Sequence, residues 1–522
     1  MTTQDARPAV NPWIIAIAVM IGTFMEVLDT TVVNVSLPHI AGSLSATPDE
    51  ATWVLTSYLV SNAIVLPLTG WLASRFGRRR ILLISVSGFT VFSFLCGLAP
   101  NLPALIIFRI FQGATGGGLQ PLSQAILLEA FPPEKRGKAM AFWALGIVVA
   151  PMIGPVLGGW ITDSYSWRWL FYINIPIGIG AVIMAMLFIF DPPYLRKASM
   201  GVDYWGIGLL ALGIGALQIL LDKGQESDWF ASHFITILAV LTVAGLLAFV
   251  LRELMTRNPV VHLNVFKIGN YSTGVFLMTV LGFVLYGSTV MMPLWLQTLM
   301  GYSALQAGMA MLPRGLGAFL FMPFVGILIN KVDPRKLLAA GLIICSYSLY
   351  LMSRLNLNAG YWDIFWPQIL QGTSMGLMFV PLTTVTNAPI PKQEMGNATS
   401  LFNLMRNIGA SIGIASVTTM VVRHTQTHTS VLGTNVTAYN PASRSMLAAI
   451  RNGMMSRGSD LATATQRSYG VVFGMVQREA AMQAYLGVFF LLALLFIAVL
   501  PLVLIMKKPQ KRGKDDEPVM AH

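Results

Sequence analysis

Continuous apolar runs of about 20 residues recur along this chain, which is the length that an α-helix needs to cross a bilayer. Of the 522 residues, 55% are hydrophobic and 11% are charged, whereas about 25% of the residues of a soluble globular protein are charged. The runs are continuous rather than alternating, which argues against a transmembrane β-barrel. The sequence therefore predicts an all-α polytopic membrane protein.

Fourteen of these runs are predicted to span the membrane. The first run lacks a small-residue cleavage site and is longer than the core of a signal peptide, so we expect it to be retained. An even number of spans places both termini on one side. The predicted spans cover residues 13–37, 52–73, 80–99, 103–128, 138–161, 168–190, 204–222, 232–252, 271–298, 305–330, 336–354, 361–388, 397–422 and 484–506.

Basic residues are concentrated in every second loop between the spans. The short loops of the other set hold only Arg168, Lys223 and Arg354. The positive-inside rule then places both termini in the cytoplasm, and the net charge of +12 requires no nucleic-acid partner. The basic set comprises Arg7, the loops at 75–80, 135–138, 196–197, 252–267 and 331–336, Lys392 and the tail at 507–514.

An internal repeat divides the chain. GWLASRFGRRRIL (70–82) is echoed by GILINKVDPRKLL (326–338), and FQGATGGGLQP (111–121) by LQGTSMGLMFVP (370–381). Two repeats around a central site are a common transporter construction. We predict an N-terminal six-helix bundle (1–190), two inserted spans with their linkers (191–268), and a C-terminal six-helix bundle (269–522) that includes a periplasmic segment (423–483) and a cytoplasmic tail (507–522).

Two acids, Glu26 and Asp29, are the only acids that we place deep inside an apolar run. A charge at the centre of a membrane helix costs about 2.5–3.5 kcal/mol on insertion scales. Residues three apart share a helix face, so both carboxyl groups can point into one cavity and handle protons. Asp29 is the preferred proton carrier, while Glu26 either shares that role or binds a cationic substrate. The alternative is a permanent ion pair between helices.

Three arginines also lie well within apolar runs: Arg109, Arg314 and Arg406. Arginine does not lose its proton in proteins, so Arg109 is predicted to pair with a carboxylate and tune it, with Gln112 on the same face. Bonding of Arg109 to backbone carbonyls is the structural alternative. Arg314 follows a proline and is predicted to act in packing or gating, and Arg406 lies between polar neighbours.

An adaptable pocket for amphiphilic substrates is predicted from polar and aromatic side chains within the spans. Its candidate residues are Asn34, Tyr286, Trp295, Phe379, Asn403 and Arg406. A metal site is not expected, because His424 and His428 lack the glutamate of an HExxH motif. The chain has no GxxxxGK[ST] phosphate loop, so we expect no cofactor and a proton gradient as the energy source.

Two glycine-containing segments are candidate conformational motifs. The first is a candidate through its resemblance to a known transporter loop motif; it runs from the end of the second span into the following loop and includes Gly70, Arg75, Gly77 and Arg78. The second lies in the fifth span, where prolines and small residues allow bending and close helix contact. It comprises Pro151, Gly154, Pro155, Gly158 and Gly159.

Five motifs occur in order along the chain: LDTTVVNVSLP (28–38), GWLASRFGRRR (70–80), FRIFQGATGGG (108–118), APMIGPVLGGW (150–160) and WRWLFYINIPIG (167–178). Together they resemble motifs of the major facilitator superfamily, specifically its fourteen-helix drug:proton antiporter branch. One position departs from the family pattern, because the first loop usually has an aspartate where this chain has Ser74. That aspartate commonly joins an interhelical charge network, so its replacement puts this latch in question.

The resemblance extends to a subgroup of that branch. LDKGQESDWF (221–230) and the long outward segment before the last span are similar to inner-membrane components of tripartite multidrug pumps. This resemblance implies a protein of the bacterial inner membrane that works with a periplasmic adaptor and an outer-membrane channel.

The sequence therefore predicts a proton-coupled exporter of hydrophobic or amphiphilic toxic compounds that works by alternating access. A proton entering from outside would reach Asp29 and weaken its interaction with Arg109 or with bound drug. A proton-coupled importer of a small metabolite remains as an alternative, and a receptor or scaffold acting through residues 423–483 is much less favoured. A membrane enzyme is disfavoured, because the sequence offers no nucleophile–base set.

Overall fold

The computed structural model describes residues 11–191, 202–256, 259–329, 331–437 and 439–506. These residues form long α-helices joined by short loops and by three short 3-10 helices at Trp229–Ala231, Leu263–Lys267 and Lys392–Glu394. This confirms the predicted all-α membrane fold. The predicted cytoplasmic tail (507–522) and the basic residues Arg7, Arg196, Lys197 and Arg257 lie outside the described residues.

Nine helices cover the predicted first half of the chain. They are α1 (Pro12–Val35), α2 (Leu37–Ser43), α3 (Pro48–Phe76), α4 (Arg78–Leu98), α5 (Leu102–Gly116), α6 (Leu119–Ala130), α7 (Pro133–Ser164), α8 (Trp169–Tyr172) and α9 (Asn174–Phe188). The first predicted span ends in the short α2, and the sixth is divided into α8 and α9.

The inserted pair and the predicted second half follow. They are α10 (Tyr204–Lys223), α11 (His233–Met255), α12 (Gly269–Thr298), α13 (Ala304–Leu328), α14 (Pro334–Met352), α15 (Tyr361–Asn387), α16 (Met395–Gly433), α17 (Pro441–Met455) and α18 (Leu461–Ile505). The proposed boundary near residue 190 adjoins the undescribed stretch 192–201, so the three-part division stays a prediction.

Thirteen helical segments in the described part of the chain are long and apolar enough to cross a membrane. The predicted twelfth span, α15, is not among them, although it is 27 residues long. Its buried residues include Gln368, Gln371 and several threonines, which lower its hydropathy. Its Gly372 packs against α13 so closely that an added Cβ would collide with the carbonyl oxygen of Arg314.

The fourth predicted span is interrupted at a run of glycines. One continuous helix was expected over 103–128, but α5 ends at Gly116 and α6 begins at Leu119. Glycine costs about 1 kcal/mol relative to alanine inside a helix. Here its small size lets α5 approach α3, because a Cβ on Gly117 would lie 2.6 Å from the carbonyl oxygen of Asn62. The break places the first turn of α6 beside α1 and α3.

The polar segment at 423–483 is largely helical. α16 continues to Gly433, and α18 begins at Leu461 and continues into the last span. The Arg478 guanidinium donates to the carbonyl of Leu299, just after α12, at 2.7 and 3.1 Å. At about 1.5 Å per residue, α18 extends roughly 25 Å beyond that level, and α17 packs beside it.

Candidate functional site

Asp29 lies at the centre of a buried hydrogen-bond network in the first half. Its carboxylate is 1% exposed and accepts bonds from side chains on two other helices. Arg109 Nη1 lies 2.5 Å from Oδ2, Asn174 Nδ2 lies 2.8 Å from Oδ1, and Gln112 Nε2 lies 3.2 Å from Oδ1. The network therefore ties α1 to α5 and to the start of α9.

Arg109 is completely buried and is held on several sides. Besides Asp29, its Nη1 donates to Gln112 Oε1 at 2.8 Å, and its Nε donates to the carbonyl of Val54 at 3.1 Å. The guanidinium lies over the Tyr58 ring, 4.1 Å from the centroid. In this conformation Arg109 pairs with a carboxylate and also bonds to a backbone carbonyl, and its role in tuning that carboxylate stays a prediction.

Asn174 is a network member that the sequence analysis missed. It is fully buried, and its Nδ2 lies within hydrogen-bond distance of both Asp29 Oδ1 (2.8 Å) and Ser93 Oγ (3.0 Å). The available signal was a single amide inside the apolar stretch FYINIPIG. A buried amide is normally hydrogen-bonded, so its position among apolar residues indicated a partner.

Glu26 lies one helical turn before Asp29 but has a different environment. It is 4% exposed, and its Oε1 accepts bonds from the amides of Asn62 at 3.0 Å and Gln120 at 3.3 Å. Its Oε2 has no hydrogen-bond partner in the described structure. Glu26 is thus surrounded by neutral donors, whereas Asp29 faces a guanidinium.

A polar seam between α6 and α16 joins the two halves. Gln120 accepts a hydrogen bond from Arg406 through Oε1, while its Nε2 contacts Glu26. The next turn of α6 presents Gln124, whose Oε1 accepts a bond from Asn403 Nδ2 at 2.6 Å. Two of the predicted substrate-binding residues, Asn403 and Arg406, therefore lie at this seam.

The other four predicted pocket residues do not form one cluster with this seam. Phe379 lies near the half-to-half boundary, with its ring centroid 6.0 Å from that of Trp143 on α7. Tyr286 is half-buried, Asn34 is exposed, and the buried Trp295 contacts Met482 Sδ of α18 at 3.1 Å. Their substrate-binding roles stay predictions.

The loop motif after α3 lies at a close contact between the halves. A Cβ on Gly70 would lie 2.7 Å from the Asn397 Cα of α16, so a larger residue would separate these helices. Gly77 has a φ of 90°, a left-handed conformation that glycine adopts without strain. The motif therefore depends on glycine at both positions.

The arginines of this loop have partners although the family's aspartate is replaced. Arg78 is buried, pairs with Glu129 at the end of α6, and donates to the carbonyl of Lys392 in the other half at 3.5 Å. Arg75 lies near the rings of Trp71 and Phe76. Ser74 bonds to a carbonyl of its own helix, while Arg78 contacts a backbone carbonyl of the second half.

The fifth-span motif fits α7 against α1. The helix remains continuous through Pro151 and Pro155. Cβ atoms added to Gly154 or Gly158 would meet the first helix, the latter at 2.9 Å from the carbonyl oxygen of Val32, whereas nothing lies within 4 Å of one added to Gly159. Two of the three glycines thus permit close packing.

The described residues contain no cluster of three histidine, cysteine, aspartate or glutamate side chains that could hold a metal ion. His424 and His428 lie on the extended part of α16 with ring centroids 6.3 Å apart. Their spacing follows from one helical turn.

Comparisons with known proteins give consistent matches. The family model of the Major Facilitator Superfamily matches residues 19–414. The chain is 44% identical over 434 residues to the multidrug export protein EmrB of Haemophilus influenzae, covering 83% of this chain and 85% of that protein. It is 36% identical over 501 residues to EmrB of Escherichia coli (strain K12), covering 96% of both chains.

Solved structures include a similar fold in the human organic anion transporter MFSD10 (TETRAN). The TM-score is 0.59 at 13% sequence identity, and the match covers 93% of this chain and 100% of that chain. At this identity, the likeness concerns the fold alone.

Proposed function

Because the chain belongs to the major facilitator superfamily, we propose that it is a proton-coupled multidrug exporter of the bacterial inner membrane. The relatives named as multidrug export proteins match most of its length, and it is a transporter rather than an enzyme. The observation that carries proton coupling is the buried pair of acids one turn apart on α1, in which Asp29 has a cationic partner and Glu26 has neutral ones.

The Asp29 network supports a proton-sensitive link inside the first half. A buried ion pair depends on both of its charges, and the loss of either charge leaves the other without a partner. A proton that reached Asp29 from outside would remove the charge that holds Arg109. The contacts that tie α1 to α5 and α9 would then weaken, and the first half could rearrange.

The seam between the halves supports alternating access. Glu26 and Arg406 contact the two ends of one amide, Gln120, so a change at the carboxyl group alters a hydrogen bond across the boundary. Aromatic side chains at the boundary, Trp143 and Phe379, add apolar surface of the kind that amphiphilic drugs contact. These features favour rocking of the halves around a site at this seam.

The outward helices support a tripartite assembly. α17 and the start of α18 project from the membrane region and carry exposed apolar side chains, including Tyr469 (59% exposed) and Phe473 (56% exposed). Tyr469 and Phe473 are four residues apart and share one face of α18, and contiguous exposed apolar surface is typical of interaction sites. A periplasmic adaptor that leads to an outer-membrane channel would cover them. The loop charges favour cytoplasmic termini, and in that orientation these helices would lie in the periplasm.

Transport in proteoliposomes tests the proton coupling. An imposed pH gradient should drive substrate movement by the wild type, while Asp29→Asn should reduce the gradient-driven rate by at least tenfold and leave substrate binding measurable. Asp163→Asn serves as the matched control, because Asp163 is 74% exposed. Gradient-driven transport at the wild-type rate by Asp29→Asn would exclude Asp29 as the coupling acid. Accumulation in inverted vesicles with an acidic interior would support export over import.

Whole-cell resistance tests the adaptor surface separately. Replacing Tyr469 and Phe473 with serine should leave transport in proteoliposomes unchanged, since no adaptor is present there, but should abolish drug resistance in cells. Unchanged resistance, with normal amounts of the variant in the membrane, would exclude this surface as the adaptor site.

A further inference from the structure

The second half contains a counterpart of the Asp29 network in which the acid is missing. Aligning the repeat FQG (111–113) with LQG (370–372) pairs Gln112 with Gln371 and Arg109 with Gln368. Gln371 Nε2 donates to Ser288 Oγ of α12 at 2.9 Å, as Gln112 Nε2 donates to the carboxylate of α1. Ser288 therefore takes the place of the aspartate.

A buried cation is nevertheless present beside this counterpart. Arg314 of α13 is 2% exposed. Its Nε donates to Gln368 Oε1 at 2.9 Å, and its Nη1 donates to Thr289 Oγ1 at 2.6 Å. Both acceptors, an amide oxygen and a hydroxyl, are neutral and supply no counter-charge.

Two donors of this cluster have no hydrogen-bond partner within the described residues. They are Arg314 Nη2 and Gln368 Nε2, and both side chains are nearly or completely buried. Because the Gln368 amide is already bonded to the guanidinium, the two free donors belong to one small region. Two N–H donors beside a positive charge make a binding site for an anion.

A comparison of the buried arginines in the two halves also indicates that a negative charge is needed beside Arg314. Arginine keeps its charge in proteins, and an unpaired buried charge is strongly destabilising. Asp29 supplies the counter-charge for Arg109, whereas no carboxylate pairs with Arg314 in the part of the chain that the structure describes. We propose that Arg314 and Gln368 bind a small monovalent anion, either a halide or the carboxylate of an amphiphilic molecule, between α12, α13 and α15.

Anion-dependent thermal stability of the purified full-length protein tests this site without reference to transport. Sodium chloride, sodium bromide and sodium decanoate are each titrated against sodium gluconate at constant ionic strength. At ten times the dissociation constant, the site should raise Tm by about 2 °C, and Tm should continue to rise with the logarithm of the anion concentration. A response to chloride and bromide identifies the halide as the ligand, and a response to decanoate alone identifies the carboxylate.

Three variants make the test specific to the cluster. Arg314→Gln should lose the response, while Arg354→Gln, at an exposed arginine, should keep it. Thr289→Asp places a carboxylate where the Arg314 guanidinium already donates, so this variant should be folded and independent of added anion. The same response in wild type, Arg314→Gln and Thr289→Asp would show a general salt effect and overturn the proposal. A wild type whose Tm does not rise with the logarithm of the concentration of either class of anion would overturn it as well.

Discussion

The Asp29–Arg109 pair predicts a large, non-additive effect on the free energy of unfolding. Asp29→Asn leaves a fully buried guanidinium without its counter-charge, and Arg109→Gln leaves a buried carboxylate with amide donors only. Removing one partner of a buried ion pair costs about 3–5 kcal/mol, so each single variant should be destabilised by that amount. The double variant contains neither lone charge. Its cost should be smaller than the sum of the two single costs by about 2–3 kcal/mol.

Unfolding in mixed micelles by increasing mole fractions of dodecyl sulfate, followed by circular dichroism, measures these free energies. Asp163→Asn makes the same chemical change at an exposed pair in which the aspartate lies 4.0 Å from the His39 imidazole. Its cost should stay within about 0.5 kcal/mol. This control separates the loss of a buried counter-charge from the general effect of replacing aspartate by asparagine.

Additive losses in the free energy of unfolding would refute the predicted coupling between Asp29 and Arg109. If the double variant loses the sum of the two single losses to within about 0.5 kcal/mol, the two side chains do not stabilise each other. Single losses under about 1 kcal/mol would show that water reaches this network and screens the pair, as it does for exposed ion pairs.

Two further predictions concern packing and pH. Gly158→Ala should cost about 1–3 kcal/mol in the same unfolding assay, because its new Cβ would lie 2.9 Å from the Val32 carbonyl oxygen. Gly159→Ala, with open space around its Cβ, should be neutral or slightly stabilising, so equal losses would contradict the packing explanation. The hydrogen bond to Glu394 raises the pKa of His262 above its ordinary value of 6.5. The stabilisation by this contact is therefore fully present below pH 6.5. It is lost as the pH rises through the raised pKa of His262. His262→Asn should flatten the fall of Tm with rising pH in this range, and an unchanged pH profile would show that another group causes it.

Charged members of the site could be predicted from the sequence, whereas most of the neutral ones could not. A charge inside an apolar run is costly and rare, so Glu26, Asp29 and Arg109 stand out without any structure. Amides such as Gln120 and Asn174 cost much less to bury once they are hydrogen-bonded. They occur in many spans for packing reasons, and only the positions of neighbouring helices show which amides contact a carboxylate.

Hydropathy predicted the positions of the long apolar helices better than it predicted the residues at which helices begin and end. The residues 423–483 are polar, and α16 and α18 nevertheless continue as helices far into this segment, because a helix satisfies its backbone hydrogen bonds within itself and so can cross from lipid into water. Conversely, the apolar run at 103–128 is broken at Gly117 and Gly118. The apolar residues on both sides of the break still gave one predicted span, since hydropathy averaged over a window of about 19 residues does not resolve a short interruption.

The partners of Glu26 and Asp29 indicate that the two acids act on different contacts. All the side chains that bond to Asp29 belong to the first half, so loss of its charge would loosen that half internally. Glu26 instead contacts Gln120, which bonds to Arg406 of the second half. A change in the charge of Glu26 would therefore alter the hydrogen bonds between α6 and α16. We therefore expect Glu26→Gln to shift the balance between the two conformations of the transporter, and Asp29→Asn to uncouple that shift from the proton gradient.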